Sequence, residues 1–178
     1  MTVGSAGSGA TNSGTITTEG TGARGMDADQ VSHVWNTASG EIATSGDTAH
    51  GMVASDRSSA VNSGDVTTNG QWAIGIKVED RSSGENTGTI RTTGDNYSHG
   101  MMAQDLSDLL NSGTIETEGD YSYGMYAYDH STALNTAMDS IETWGDYANG
   151  MVAGSGSTIA NTGSVITHGD HAYGMEAS

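Results

Sequence analysis

Two glutamates 26 residues apart, Glu116 and Glu142, occupy the same place in successive copies of one repeated motif. Stacked one layer apart, they would approach the roughly 5 Å spacing at which one carboxylate attacks a glycosidic carbon and the other protonates the leaving group. Two further acidic columns recur with the repeat: Asp47, Asp95, Asp120, Asp146 and Asp170, then Asp56, Asp80, Asp105 and Asp129. Stacked carboxylates of this kind could bridge calcium, which takes six or more oxygens. A third set is aromatic. Trp72, Tyr97, Tyr121, Tyr147 and His171 share one motif position, with His50, His99, Tyr123 and Tyr173 two residues further on.

The acidic sets meet simple objections. A hydrolase needs a cleft to hold substrate and exclude water, yet the longest departure from the repeat is two residues. There is no charge-stabilising arginine cluster, no H-E-x-x-H, and no serine, histidine and aspartate in a triad order. Catalysis is therefore not expected. The G-G-x-G-x-D nonapeptide of calcium-binding β-rolls is also absent, and a corner aspartate serves as an Asx-turn residue that satisfies backbone donors. Calcium is possible, but no cofactor is expected.

The scaffold that positions these residues is legible from the repeat. Aligned on asparagine, units begin at Asn12, Asn36, Asn62, Asn86, Asn111, Asn135 and Asn161, after a partial unit over 1–11. A typical unit reads NSGTIETEGDYSYGMYAYDHSTAL, from Asn111 to Leu134. The units at Asn36 and Asn135 carry two extra residues near their start, in NTASGEI and NTAMDSI, and the fourth adds one in DNYSHG. Each unit holds an Ile/Val-x-Thr segment, a Met-x-Ala segment and a segment led by serine. Period-two patterning between glycine corners is strand chemistry. The fold class predicted is all-β: a single parallel β-solenoid of about seven coils, three short strands per coil, 24–26 residues per coil. At about 4.8 Å per coil this makes a rod of roughly 35 Å.

Several columns should be interior. The methionines, with Ile76, fill an irregular core, and the asparagines should form an axial ladder of amides at a bend. Glycine before methionine marks a corner where φ is positive or another backbone approaches closely. The column just before asparagine (Trp35, Val61, Glu85, Leu110, Leu134, Ala160) should be exposed by strict alternation. Burial by the bend is the expectation here; the alternative is an apolar outer stripe broken by Glu85. The threonines share the parity of the isoleucines and should face inward. Their outward neighbours are too mixed for a flat, ice-ordering threonine face.

Composition narrows the partners. Five Lys and Arg against 22 Asp and Glu give a net charge of −17. Nothing here neutralises phosphates, so nucleic acid is not expected to bind, and no apolar run nears the ~20 residues of a membrane span. Low hydrophobicity with high charge would suggest disorder, but regular repetition overrides that reading. The start, Met1 to Ala10, has no basic, apolar leader pattern, and cysteine is absent.

Units such as NSGTIETEGDYSYGMYA and NTGTIRTTGDNYSHGMMA resemble the degenerate N-[ST]-G-x-I-x-T-x-G-x-x-A-x-G-[IM]-x-A repeats in passenger regions of bacterial autotransporter adhesins. The resemblance covers essentially the whole chain. It implies export, extracellular display at the bacterial outer-membrane surface through a C-terminal barrel, and adhesion to a host or neighbouring-cell surface. Signal, barrel and capping elements are not in this sequence. The expectation is an adhesive or structural segment of a longer array, whose ends could stack onto other copies. Its expected binding residues for a glycan or protein partner are Trp72, Tyr97, Tyr121, Tyr123, Tyr147 and Tyr173.

Overall fold

Strands of two to five residues cannot bury an apolar face alone, so the chain coils and each strand pairs with its counterpart one unit away. The structure, a computed structural model, describes residues 1–3, 7–136 and 140–178. Among these there is no helix, and every strand pairing is parallel.

Three sheets run the length of the solenoid. The Met sheet has eight strands: Thr2–Val3, Met26–Ala28, Met52–Ala54, Ile76–Val78, Met101–Ala103, Met125–Ala127, Met151–Ala153 and Met175–Ala177. The Asn sheet has seven, from Gly9–Asn12 through His33–Asn36, Ser59–Asn62, Ser83–Asn86, Asp108–Asn111 and Thr132–Asn135 to Thr158–Asn161. The Thr sheet also has seven, from Thr15–Glu19 through Glu41–Ser45, Asp65–Asn69, Thr89–Thr92, Thr114–Thr117 and Ser140–Thr143 to Ser164–Thr167. The Gly- and Ser-rich start contributes strands to the Met and Asn sheets and extends the array. Of the two long units, the one at Asn36 closes with the Asn36 amide donating to Gly40 O at 3.1 Å. The extra residues of the other, within 137–139, lie outside the described residues.

Register is kept by like residues meeting like. Met101 pairs with Met125, Asn86 with Asn111 and Ile90 with Ile115. Met26, Met52, Ile76, Met101, Met125 and Met151 are wholly buried, as are Ile42, Ile90, Ile115 and Ile141. Inward-facing Thr44, Thr68, Thr92, Thr117 and Thr143 are buried too, and each staples a corner. Thr117 Oγ1 donates to Ser122 O at 2.7 Å, and Thr143 Oγ1 to Ala148 O at 2.6 Å.

Two polar ladders run along the axis. From Asn12 to Asn161 each side-chain amide donates to the next asparagine's Oδ1 at 2.7–2.8 Å. The serine column makes a second ladder that the repeat pattern did not announce. The backbone N–H of Ser58 donates to Ser82 Oγ, that of Ser82 to Ser107 Oγ and that of Ser107 to Ser131 Oγ, each at 3.1 Å. Buried backbone donors therefore have partners where the chain enters a strand.

Glycine before methionine answers to close approach, since none of that column has positive φ. A Cβ on Gly75 would lie 2.3 Å from Ile90 Cγ2 and 2.6 Å from Gly100 O in the next coil. The column before asparagine corrects the expectation of burial. Alternation carries on through the bend: Val34, Ala60, Leu109 and Ala133 are buried, while Trp35 is 47% and Leu134 36% exposed. The turn comes after asparagine, so the strand stays extended through the preceding residue.

Candidate functional site: the aromatic corner

The corner between the Thr and Met sheets is tied in two directions. Threonine staples close it within each coil, and backbone bonds tie it to the next, with Tyr121 N–H donating to Asp146 O and Tyr147 N–H to Asp170 O, both at 2.9 Å. The aspartate column adds to this, with Asp146 N–H on Asp120 Oδ1 at 2.9 Å and Asp170 N–H on Asp146 Oδ1 at 2.8 Å. Asp120 and Asp146 thus serve the backbone. Among the described residues no group of three or more His, Asp or Glu side chains is arranged to hold a metal ion.

At the tip of this corner the backbone turns left-handed, with φ between 55° and 62° at Trp72, Tyr97, Tyr121, Tyr147 and His171. The first coil has Gly22 at that position, also at positive φ. An L side chain there costs roughly 1–2 kcal/mol, and bulky residues at positive φ are uncommon. The rings offset that cost by stacking. Successive centroids from Trp72 to Tyr97, Tyr121, Tyr147 and His171 lie 5.0–5.5 Å apart, with planes within 28° of parallel. Such pairs contribute about 0.5–1.5 kcal/mol each.

Rings this close and parallel overlap, so each covers part of its neighbour's face. Even so, Trp72 is 51%, Tyr97 40%, Tyr121 37% and Tyr147 43% exposed. What faces outward is a shingled row of ring edges at coil spacing.

Tyr123 and Tyr173 belong to a second column, beside the first. Tyr123 stacks on His99 at 4.8 Å, and Tyr97 meets His99 edge-on at 6.4 Å, joining the two columns. Tyr173 is exposed, and its N–H is held by Asn149 Oδ1 at 2.7 Å. In every second coil this column supplies an acceptor to the coil above: His50 Nδ1 takes Ile74 N–H at 3.0 Å, and His99 Nδ1 takes Tyr123 N–H at 2.9 Å. Both histidines are held neutral. Burial, then the charges of Lys77 and Arg24, lower His50 to about 4, and burial alone lowers His99 to about 3. Burial also raises the phenols of Tyr123 and Tyr126 above their ordinary value.

Sequence reasoning missed Tyr126 and Tyr128. Tyr126 lies edge-on to His99 at 5.4 Å and to Tyr123 at 5.6 Å, with Tyr128 at 6.0 Å, so the aromatic surface wraps from the corner onto the Met sheet. Alternation within Met125–Ala127 was the available signal, since the residue between Met and Ala faces out beside the corner.

The glutamate pair is in register on the outer face of the Thr sheet. Glu116 faces Arg91 at 3.6 Å, and Glu142 Oε1 lies 2.7 Å from His168 Nε2, whose ring stacks on Trp144 at 3.8 Å. Each carboxylate therefore has a neighbour of its own.

Comparison with known proteins places this architecture. No curated protein and no solved structure matches the chain. One family model matches residues 1–139, described as the BigA third pectate lyase-like domain. That match and the parallel solenoid both fit the resemblance of the repeats to autotransporter passengers. Since the match spans well over half of its length, the chain belongs to the family of the BigA third pectate lyase-like domain.

Proposed function

We propose that this β-helix segment of a surface protein presents the aromatic corner as an adhesive edge, outside the bacterial cell, to glycans or proteins of host or neighbouring cells. The observation that carries the reading is the backbone at the corner. Four bulky rings occupy a left-handed position that suits glycine and remain well exposed there, so neither local propensity nor core burial accounts for them. Rings on a rigid wall lose little entropy on binding, and tyrosine and tryptophan dominate contact hot spots. Because the faces partly cover one another, the contacts made are edge contacts, hydrogen bonds with the phenols and hydrogen bonds accepted by the neighbouring aspartates. No catalytic step is part of this reading.

A second reading, that of a structural stalk without a ligand, draws on the same stack, since mutually stacked rings also stiffen a corner. A binding screen of the 178-residue chain on glycan arrays and a panel of host and bacterial cells separates the two. Saturable retention on a defined glycan or cell type supports the adhesive reading, and a blank screen leaves the stalk.

A further inference from the structure

A different face of the rod carries an independent contact surface. The outer side of the Asn sheet holds the row Trp35, Val61, Glu85, Leu110 and Leu134, in register across five coils. Over its middle lies an open depression of about 400 Å3 lined by Val61, Glu85, Leu110 and Leu134 of this row, together with Asp108. Glu85 has an apolar neighbour in the coils on both sides, Val61 and Leu110. Among the described residues neither Glu85 nor Asp108 has a cationic partner within 4.0 Å, and the only bond to Asp108's carboxylate is the hydroxyl of Thr132 at 2.6 Å.

An unpaired carboxylate in an apolar row does nothing for the isolated chain, since it interrupts the stripe and gains no partner. It suits an occupant that brings its own positive charge on an apolar stem. Arginine and lysine do so, laying their methylenes on leucine while the head group meets a carboxylate. The five-coil row is about 20 Å long at the usual strand spacing, the reach of about six extended residues. The net charge of −17 draws a cationic segment in and repels a second copy of this chain. We propose that this groove docks an extended segment of a protein partner in which basic and apolar residues alternate, with Glu85 receiving an arginine or lysine.

Binding of a labelled, capped hexapeptide of alternating leucine and arginine to the 178-residue chain tests this, by fluorescence anisotropy at physiological ionic strength. Saturable binding is expected. Glu85→Gln, which keeps the side chain's shape, should weaken it at least tenfold, and so should Leu110→Ser or a serine–arginine peptide of the same charge. Tyr121→Gly with Tyr147→Gly should leave it within twofold, which keeps this surface distinct from the aromatic corner. Glu85→Gln and Leu110→Ser both staying within twofold, or the serine–arginine peptide binding equally well, would reduce the effect to bulk charge attraction and overturn the proposal. Sedimentation showing a dimer that Leu134→Arg dissociates would also overturn it, by giving the groove to a second copy.

Discussion

The side-chain amide of Asn86 donates to Asn111 Oδ1 in the next coil at 2.8 Å, while its own Oδ1 receives the amide of Asn62 at the same distance. Both bonds are buried, so the ladder adds a side-chain tie between coils at the last paired residue of each strand. Asn86→Ala removes a donor and an acceptor together and should cost about 1–3 kcal/mol. Asn12→Ala, whose amide is bonded on one side of the ladder only, should cost less. Urea unfolding of the two variants checks this, and equal losses would mean that the ladder is not axial.

Close approach of backbones predicts a sharp contrast between two glycines. On Gly75 a Cβ would meet Gly100 O at 2.6 Å, whereas on Gly14 it would meet nothing within 4 Å. Gly75→Ala should therefore spread adjacent coils and cost several kcal/mol, of the order seen for severe overpacking. Gly14→Ala should be neutral or slightly stabilising, because it restricts the unfolded chain. Thermal melting of both variants decides it.

Acid sensitivity follows from the neutral histidines. His99 is at about 3 and His50 at about 4 in the fold, against 6.5 ordinarily. Between those values and 6.5 the unfolded chain binds protons that the folded chain does not, so stability rises with pH through this window. Their contribution is complete above pH 6.5 and is lost as pH falls toward 3–4. Asn149, two coils above His99, performs the same acceptor role without titrating. His99→Asn should keep the bond to Tyr123 N–H and flatten the loss of stability between pH 6.5 and 4, leaving the share due to His50. An unchanged slope in unfolding experiments across that range would remove His99 as its source.

The sequence carried the coil, its register and its interior because one periodicity dictates all three. Methionine, isoleucine, threonine and asparagine recur at fixed phase, and only parallel stacking lets each column meet its own kind. Less legible were features set by dihedral angles and direction. Nothing in the pattern showed that Trp72, Tyr97, Tyr121 and Tyr147 stand at positive φ, or that their rings partly cover one another and turn edges outward. Where the chain bends, alternation held and the expectation of burial did not. Trp35 and Leu134 were expected inside, yet the turn follows asparagine and leaves them outside. The histidines revealed their acceptor role only once His99 was seen beneath Tyr123.

The aromatic edge is tested most directly by removing two rings where the backbone itself favours glycine. Tyr121→Gly with Tyr147→Gly deletes the stack between Tyr97 and His171 but relieves left-handed strain at φ 55° and 57°, so stability should change by no more than about 2 kcal/mol. Adhesion of the purified variant to the glycan or cell type retained by the parent chain is the measurement. The account predicts at least a tenfold loss of adhesion with the cooperative melt preserved. Adhesion equal to that of the parent, from a variant that melts as the parent does, would contradict it and leave the rings as packing at a corner.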